Sequence, residues 1–264
     1  MLCSKSSLIC LLAVVASLCP SLSAADDDVW SSIKKDILGD VEVEEGGEHL
    51  SIDAPNKADD AAVVPVTVTI PSERMADIEQ LILVIDKNPS PVAAVVNYGP
   101  AAGKSGQHLF ATRVRMDTQS PIRAIVRTAD GRYFMKSKVV NAAGGCSSSG
   151  SKDSDAKSAE GEARIKVFAP APGSAWLPEA QIMLRHPNYS GMQRDHATGE
   201  LIPARFVDKL KVSAAGRTVF EMTGGISISE NPNLRFTFAA SPGIQLDMEA
   251  SDTEGRHYKA AYRY

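Results

Sequence analysis

A polar segment near the middle of the chain, residues 144–161, most constrains how this sequence can fold. Glycine, serine, lysine and aspartate dominate it, and apart from Cys146 it has no apolar side chain larger than alanine. A segment of this composition cannot bury enough apolar surface to order itself, so we expect a flexible linker. The chain is therefore predicted to fold as two units, one on each side.

Short runs rich in β-branched residues recur on both sides of this segment, separated by Gly, Pro and Asn turn signals. A strand is predicted for each run: 62–70, 78–85, 92–96, 108–116, 121–128, 133–140, 165–168, 179–185, 206–213, 218–222, 234–238, 244–249 and 258–262. Turn signals every eight to twelve residues are typical of antiparallel sandwiches. We predict an all-β fold: two immunoglobulin-like antiparallel β-sandwiches joined by a flexible Gly/Ser-rich linker.

The N-terminal residues 1–25 have the pattern of a secretory signal peptide. Lys5 precedes an apolar run at 8–18, and small residues follow, before a predicted cleavage ahead of Asp26. The apolar run is too short to span a bilayer. Acidic residues and then Trp30 predict a short helix ending at Gly39, with Trp30 packed on the domain. An exported, periplasmic protein is expected.

These features divide the chain into four predicted regions. The ranges are 1–25 for the signal peptide, 26–143 for the first sandwich, 144–163 for the cysteine arm and linker, and 164–264 for the second sandwich.

Export changes the meaning of the cysteine count. Cys3, Cys10 and Cys19 would leave with the signal peptide, so Cys146 alone would remain. A single cysteine in an oxidising compartment is buried and inert, paired with another molecule, or a reactive thiol. Because its neighbours are glycines and serines, we expect Cys146 to be exposed on a mobile arm. Its replacement by serine should then leave stability nearly unchanged.

Several functional classes find no support in the sequence. The formal net charge is −4 and no basic tract occurs, which argues against a nucleic-acid partner. His186 and His196 flank a loop but lack the spacing of metal ligands, so no metal site is predicted. No Gly-rich phosphate loop opens a helix and no acid/base pair stands out, so neither a cofactor nor a catalytic residue is predicted.

Collinear stretches in both halves resemble the SoxY and SoxZ subunits of the SoxYZ carrier of bacterial thiosulfate oxidation. In the first half they are 53–55, 63–66, 87–91, 112–116, 129–131 and 144–146, and in the second half 186–187, 191, 194–195, 201–204 and 229–232. The order, with Gly-Gly-Cys ending the first half, resembles a fused SoxYZ form associated with periplasmic quinoprotein alcohol dehydrogenases.

The resemblance implies a carrier and not an enzyme. Cys146 would be the covalent attachment site for sulfur intermediates, and Gly144 and Gly145 would be the hinge that lets it reach partner enzymes. Those partners would be Sox-type enzymes or a quinoprotein dehydrogenase system. The two sandwiches would also pack on each other, as the separate subunits of the resembled pair do.

In the resembled SoxY subunit the cysteine lies at a free C-terminus, whereas here the chain continues from Ser147 into the second half. Two alternatives stay open. One is a thiol enzyme in which His186 or His196 activates Cys146. The other is a non-covalent accessory module of a quinoprotein dehydrogenase system, in which the cysteine forms an intermolecular disulfide.

Overall fold

The computed structural model describes residues 23–148, 159–174, 176–239 and 241–264, with side chains described from residue 29 onward. Most of the predicted signal peptide, and residues 149–158 of the predicted linker, therefore lie outside the described residues. Within the described ranges, no helix is both long enough and apolar enough to cross a membrane.

Residues 23–148, the described part of the first half, form one α-helix and eight strands. They are α1 (Ser23–Leu38), β1 (Val43–Glu45), β2 (Ser51–Asp53), β3 (Val64–Ile70), β4 (Ile78–Ile85), β5 (Val92–Tyr98), β6 (His108–Val114), β7 (Ser120–Thr128) and β8 (Tyr133–Val140). A single 3-10 turn, Met75–Asp77, leads into β4. The predicted helix is confirmed, and Gly39 ends it with a positive φ of 76°.

The regular elements that the structure describes in the second half are all strands. They are β9 (Ala163–Phe168), β10 (Glu179–Leu184), β11 (Val207–Ala214), β12 (Arg217–Gly224), β13 (Asn233–Thr237), β14 (Gln245–Asp252) and β15 (His257–Arg263). The described residues thus form the predicted all-β fold of immunoglobulin-like sandwich type. Every strand predicted from the sequence is present, with ends displaced by no more than a few residues.

The strands form two large sheets that both run through the two halves. One has nine strands in the order β1-β8-β7-β4-β5-β12-β11-β14-β15, and the other has six in the order β2-β3-β6-β13-β10-β9. The halves join where β5 pairs with β12 and where β6 pairs with β13, both antiparallel. The prediction that the two sandwiches pack on each other is confirmed, and their sheets are continuous.

Alternation of side chains places one shared core between the sheets. In β3, for example, Val64, Val66 and Val68 are buried and the residues between them are more exposed. Aromatic rings continue the core across the two halves: Phe110 packs edge-on against Phe220 at 5.9 Å. Hydrophobic burial in one continuous core predicts that the halves unfold together.

The helix covers the outer face of the nine-stranded sheet in the first half. Ile33 packs in a small cluster with Val84 and Ile125, against which Trp30 also lies. The guanidinium of Arg123 stacks on the Trp30 ring at 4.3 Å. This explains why β4 is buried on both faces, and it confirms that Trp30 packs the helix on the domain.

Acidification should destabilise this fold through His108, a buried residue at the start of β6. Burial lowers the pKa of His108 to about 4 from 6.5. The unfolded chain binds the proton at a higher pH than the folded chain, so stability is lost as pH falls from about 6.5 to 4. The expected loss is about 2–4 kcal/mol.

Urea titrations at several pH values measure this loss. The variant His108→Gln should show a clearly shallower pH dependence, although His186 retains some, because burial lowers its pKa too. His196→Gln, at an exposed position, is the matched control. Parallel curves for wild type and His108→Gln would refute the assignment.

Candidate functional site

Cys146 is a free thiol that lies fully buried, with 0 % of its surface exposed. The expectation that its small, polar neighbours keep it exposed is therefore wrong for this state of the chain. Residues 144–148, called here the cysteine turn, lie in the groove between the first and second halves. Tertiary contacts with both halves supply the burial that the local sequence does not.

The first half holds the cysteine turn through backbone hydrogen bonds. The Gly144 N–H donates to the carbonyl of Asp117 at 2.8 Å, and the Gly145 N–H donates to the carbonyl of Met116 at 2.9 Å. Both acceptors follow β6, the strand that also pairs with the second half. The turn is thus attached beside the junction of the two halves.

Both glycines of the predicted hinge have a local structural reason to be glycine. Gly144 has a φ of +73°, a conformation that residues with a Cβ rarely adopt. A Cβ on Gly145 would lie only 2.0 Å from the carbonyl oxygen of Ala61, which is backbone and cannot rotate away. Gly145 therefore allows the close approach that buries Cys146, while the hinge role of the two glycines stays a prediction.

The second half closes over the cysteine turn with two polar side chains. Ser190 Oγ donates a hydrogen bond to the Cys146 carbonyl at 2.5 Å, and Gln193 Nε2 donates to the Ser148 carbonyl at 3.2 Å. Gln193 Oε1 in turn accepts from the Ser190 backbone N–H at 2.9 Å. Ser190 and Gln193 had no role in the sequence analysis, because nothing local links them to the cysteine.

Burial also suppresses the reactivity of the thiol. Loss of solvation, with a smaller contribution from the Asp117 carboxylate, raises the pKa of Cys146 to about 11, and the Arg115 guanidinium opposes this only in part. At neutral pH about one molecule in ten thousand would be the thiolate. In this arrangement the sulfur is protected from exchange and oxidation, since the thiolate is the reactive form.

Arg115 is the buried cation of the site, with 1 % of its surface exposed. Its Nη1 donates to the carbonyls of Asn188 at 2.6 Å and Ile228 at 2.8 Å, both in the second half. Its own carbonyl accepts from Asn88 Nδ2 at 2.7 Å, and its N–H donates to the Ser227 carbonyl at 2.7 Å. Arg115 therefore joins the two halves beside Cys146.

Arg115 lies within 112–116, one of the stretches of family resemblance, but no role was predicted for it. The alternation of β6 buries its even positions and would place residue 115 on the outer face, so no local signal indicated that Arg115 is buried. The surrounding resemblance stretches 87–91 and 229–232 also contribute to this junction. Ser229 Oγ, for instance, donates to the Ala62 carbonyl at 2.7 Å.

The two histidines proposed as activators of the thiol are engaged elsewhere or exposed. His186 Nε2 lies 3.2 Å from Asp252 Oδ2, and His186 Nδ1 accepts from the Asn188 N–H at 3.0 Å. His196 is exposed. Neither is brought to Cys146, and the described residues contain no cluster of potential metal ligands. His186 instead orients Asn188, whose carbonyl receives Arg115.

The Cys146 thiol should become more reactive when the cysteine turn leaves the groove, and the substitution Gly145→Ala should cause the turn to leave. Its Cβ cannot fit beside Ala61, so we expect the turn to leave the groove. A return of the pKa from about 11 to 9.0 raises the thiolate fraction about a hundredfold and lowers its intrinsic nucleophilicity by several-fold. Labelling by an aromatic disulfide should accelerate at least about tenfold.

Stopped-flow labelling at neutral pH measures this change. Gly47→Ala is the matched control, because its Cβ would meet only the end of the Lys136 side chain, at 3.6 Å. Equal labelling rates for Gly145→Ala and wild type would show that the close contact does not hold the sulfur in the groove.

Comparisons with known proteins give two family matches, one in each half of the chain. The family described as "Sulfur oxidation protein SoxY" matches residues 34–146, and the family described as "Sulphur oxidation protein SoxZ" matches residues 171–263. Among solved structures, the chain is similar to the sulfur carrier protein SoxY from Chlorobium limicola f thiosulfatophilum. The identity is 20 %, with 45 % of this chain and 96 % of that chain covered and a TM-score of 0.37. No curated protein matches the chain.

Proposed function

Because the chain belongs to the fused SoxYZ-like proteins, with a SoxY domain followed by a SoxZ domain, we propose that it is a covalent sulfur carrier. Sulfur intermediates would be held on Cys146 and presented to partner enzymes, as in thiosulfate oxidation. The carrier would act in the periplasm after removal of residues 1–25.

One observation carries the proposal: the match to the SoxY family ends at Cys146 itself, and the structure gives this residue a free thiol. The family described by that match is one of sulfur oxidation proteins. A lone thiol at the end of the matched domain is the group in this chain suited to form reversible S–S bonds. We therefore assign Cys146 as the attachment site.

Loading requires that the cysteine turn leave the groove, since a fully buried sulfur cannot meet a partner's active site. Release would break four hydrogen bonds, those of the Gly144 and Gly145 N–H groups and of the Cys146 and Ser148 carbonyls. At about 1 kcal/mol each, the released state would lie roughly 4 kcal/mol above the docked one. Gly144 and Gly145 would act as the hinge, because they tolerate the widest range of φ and ψ.

The exchange chemistry is redox-neutral and needs no catalyst within this chain. The released thiol gives its proton to solvent, and the Cys146 thiolate attacks a sulfur of an S–S bond in the donor. A Cys146 Sγ–S bond forms as the donor S–S bond breaks, and the leaving sulfur takes the electron pair. The docked state would then shield the loaded group from water and stray thiols.

The partners would be Sox-type sulfur-oxidising enzymes. An association with a periplasmic quinoprotein dehydrogenase system is the alternative setting for the same carrier chemistry. A thiol enzyme is disfavoured, because neither His186 nor His196 reaches Cys146.

Tetrathionate provides a test with the isolated chain after removal of residues 1–25, which leaves Cys146 as its one cysteine. Attack of Cys146 on its central S–S bond would release thiosulfate and leave one S–SO3 group on the chain. Intact mass spectrometry should show one such adduct, mapped to Cys146, that a dithiol removes. Gly145→Ala should load faster and Cys146→Ser should not load. Failure of the folded wild-type chain to load, while the urea-unfolded chain loads, would contradict carriage through a released turn.

A further inference from the structure

A second site of distinct chemistry lies on the outer face of the six-stranded sheet. A cavity of about 350 Å³ opens where β9, β10 and the start of β13 adjoin the end of β6. Its charged lining residues are Arg113, Glu162, Arg164, Lys166 and Arg185, and we call it the basic cavity. Its volume falls in the range of small-molecule sites.

The strand periodicity explains why cations meet here. In β9 Ile165 points into the core, so Arg164 and Lys166 on either side of it point outward. Arg185 follows β10 on the same face as Met183, which pairs with both Arg164 and Asn233. Arg113 arrives from the first half, on a strand of the same sheet. The sheet thus presents cations from both halves to one opening.

The charge of the basic cavity opposes that of the whole chain. Four cations and one carboxylate line it, a formal charge of +3, whereas the full sequence carries −4. The carboxylate, Glu162, contacts Arg164 at 3.4 Å in an exposed pair, which neutralises little. Among the described residues, Lys166 and Arg185 have no carboxylate within ion-pair distance. The cavity therefore has an unbalanced positive potential.

Arg113 contributes a partly buried cation to this cavity. Burial lowers the pKa of its guanidinium, and the Glu230 carboxylate, which is not among the lining residues, opposes this in part. Its Nη2 donates to the Asn231 carbonyl at 3.0 Å, but its buried Nε has no hydrogen-bond partner within the described part of the chain. An unpaired buried donor on a cation is costly, so the guanidinium of Arg113 is incompletely satisfied within the described residues.

The two asparagines of the cavity each have their side-chain oxygen engaged in a hydrogen bond. The Asn231 side-chain oxygen accepts from the His186 N–H at 3.2 Å, and that of Asn233 accepts from Gln181 Nε2 at 3.0 Å. The NH2 group of each carboxamide remains available as a donor, because no acceptor for it is found among the described residues. Apart from the Glu162 carboxylate, the polar side chains of the lining are hydrogen-bond donors.

We propose that the basic cavity binds a small oxyanion carrying two negative charges, of the sulfate, thiosulfate or phosphate type. Guanidinium forks and amide NH2 groups match the oxygens of such an anion, and charge-assisted hydrogen bonds are the strong ones. The site is separate from Cys146 and does not depend on the carrier proposal. Its position across β6 and β9–β10 would make anion binding strengthen the association of the two halves.

Isothermal titration with sodium sulfate, thiosulfate and phosphate, at ionic strength held constant with sodium chloride, tests the proposal. Saturable binding of one anion per wild-type chain is expected. The double variant Lys166→Gln/Arg185→Gln should bind at least about tenfold more weakly, because it removes two charge-assisted contacts. Lys209→Gln, an exposed lysine on a strand of the other sheet, is the control and should bind as wild type does.

The variant Cys146→Ser should bind the anion unchanged, which separates this site from sulfur carriage. Binding that does not saturate, or that is equal in the double variant, would overturn the proposal by showing a general salt effect. The proposal would also be overturned if none of the three anions binds at concentrations up to tens of millimolar and the chain is retained only on a surface that carries an acidic protein. The basic cavity would then be a docking patch for an acidic protein.

Discussion

Cys146→Ser is expected to abolish sulfur loading completely, the largest functional effect of any single substitution in the chain. Serine oxygen does not form the reversible S–S bond on which carriage depends. No second thiol would remain to substitute for it, because Cys3, Cys10 and Cys19 belong to the predicted signal peptide. Incubation with tetrathionate followed by intact mass measurement should show only the unmodified chain.

The same substitution should cost about 1–2 kcal/mol of folding free energy, measured by urea unfolding. This corrects the expectation of nearly no effect, which assumed an exposed thiol. Serine would place a hydroxyl at a fully buried position. A control, Ser147→Ala, removes only an exposed hydroxyl whose bond to the Gly144 carbonyl is 3.3 Å long, and should stay within about 0.5 kcal/mol. Loading of the Cys146→Ser chain would refute the assignment.

Arg115→Met is expected to cause the largest loss of stability, about 3–5 kcal/mol. Methionine retains much of the apolar stem but removes the guanidinium that binds the Asn188 and Ile228 carbonyls. Those buried acceptors would be left unpaired, each at a cost of about 1–3 kcal/mol. Because the acceptors lie in the second half and Arg115 in the first, the junction itself should weaken.

Urea unfolding, monitored by tryptophan fluorescence and by circular dichroism, measures both the loss of stability and the weakening of the junction. In a Trp176→Phe background, Trp30 is the one tryptophan and reports on the first half, while circular dichroism reports on all strands. Separate transitions would then reveal uncoupled halves. Arg127→Met is the matched control: its ion pair with Glu79, at 3.0 Å, is exposed and should matter by less than about 1 kcal/mol. Equal effects for the two variants would contradict the role of Arg115 at the junction.

The strands were predictable because their signals are local. The alternation in β3 is contained in a few consecutive residues, and so is the Asp130-Gly131 dipeptide, which forms the turn between β7 and β8 with a positive φ at Gly131. Strand β1 was missed, since Val43 is its only apolar residue and it is stabilised by parallel pairing with β8. Short edge strands depend on their neighbours more than on their own sequence.

The environment of Cys146 was not predictable, because each group that creates it is distant in sequence. The Ala61 carbonyl packs on Gly145, Ser190 Oγ binds the Cys146 carbonyl, and Arg115 and Asp117 set the electrostatics. The local composition predicted exposure, and tertiary contacts overrode it. The continuity of the two sheets across β5 and β12 escaped prediction for the same reason, since strand pairing between halves leaves no local signal.

The most direct test of the carrier account is the intact mass of the chain isolated from its native host during growth on thiosulfate. Isolation at low pH would slow thiol exchange, and peptide mapping would locate any added group. The account predicts that a fraction of the chain carries added sulfur, with or without oxygen, on Cys146 and that a dithiol removes it. A chain that is always unmodified at Cys146, or a modification that persists in Cys146→Ser, would contradict it.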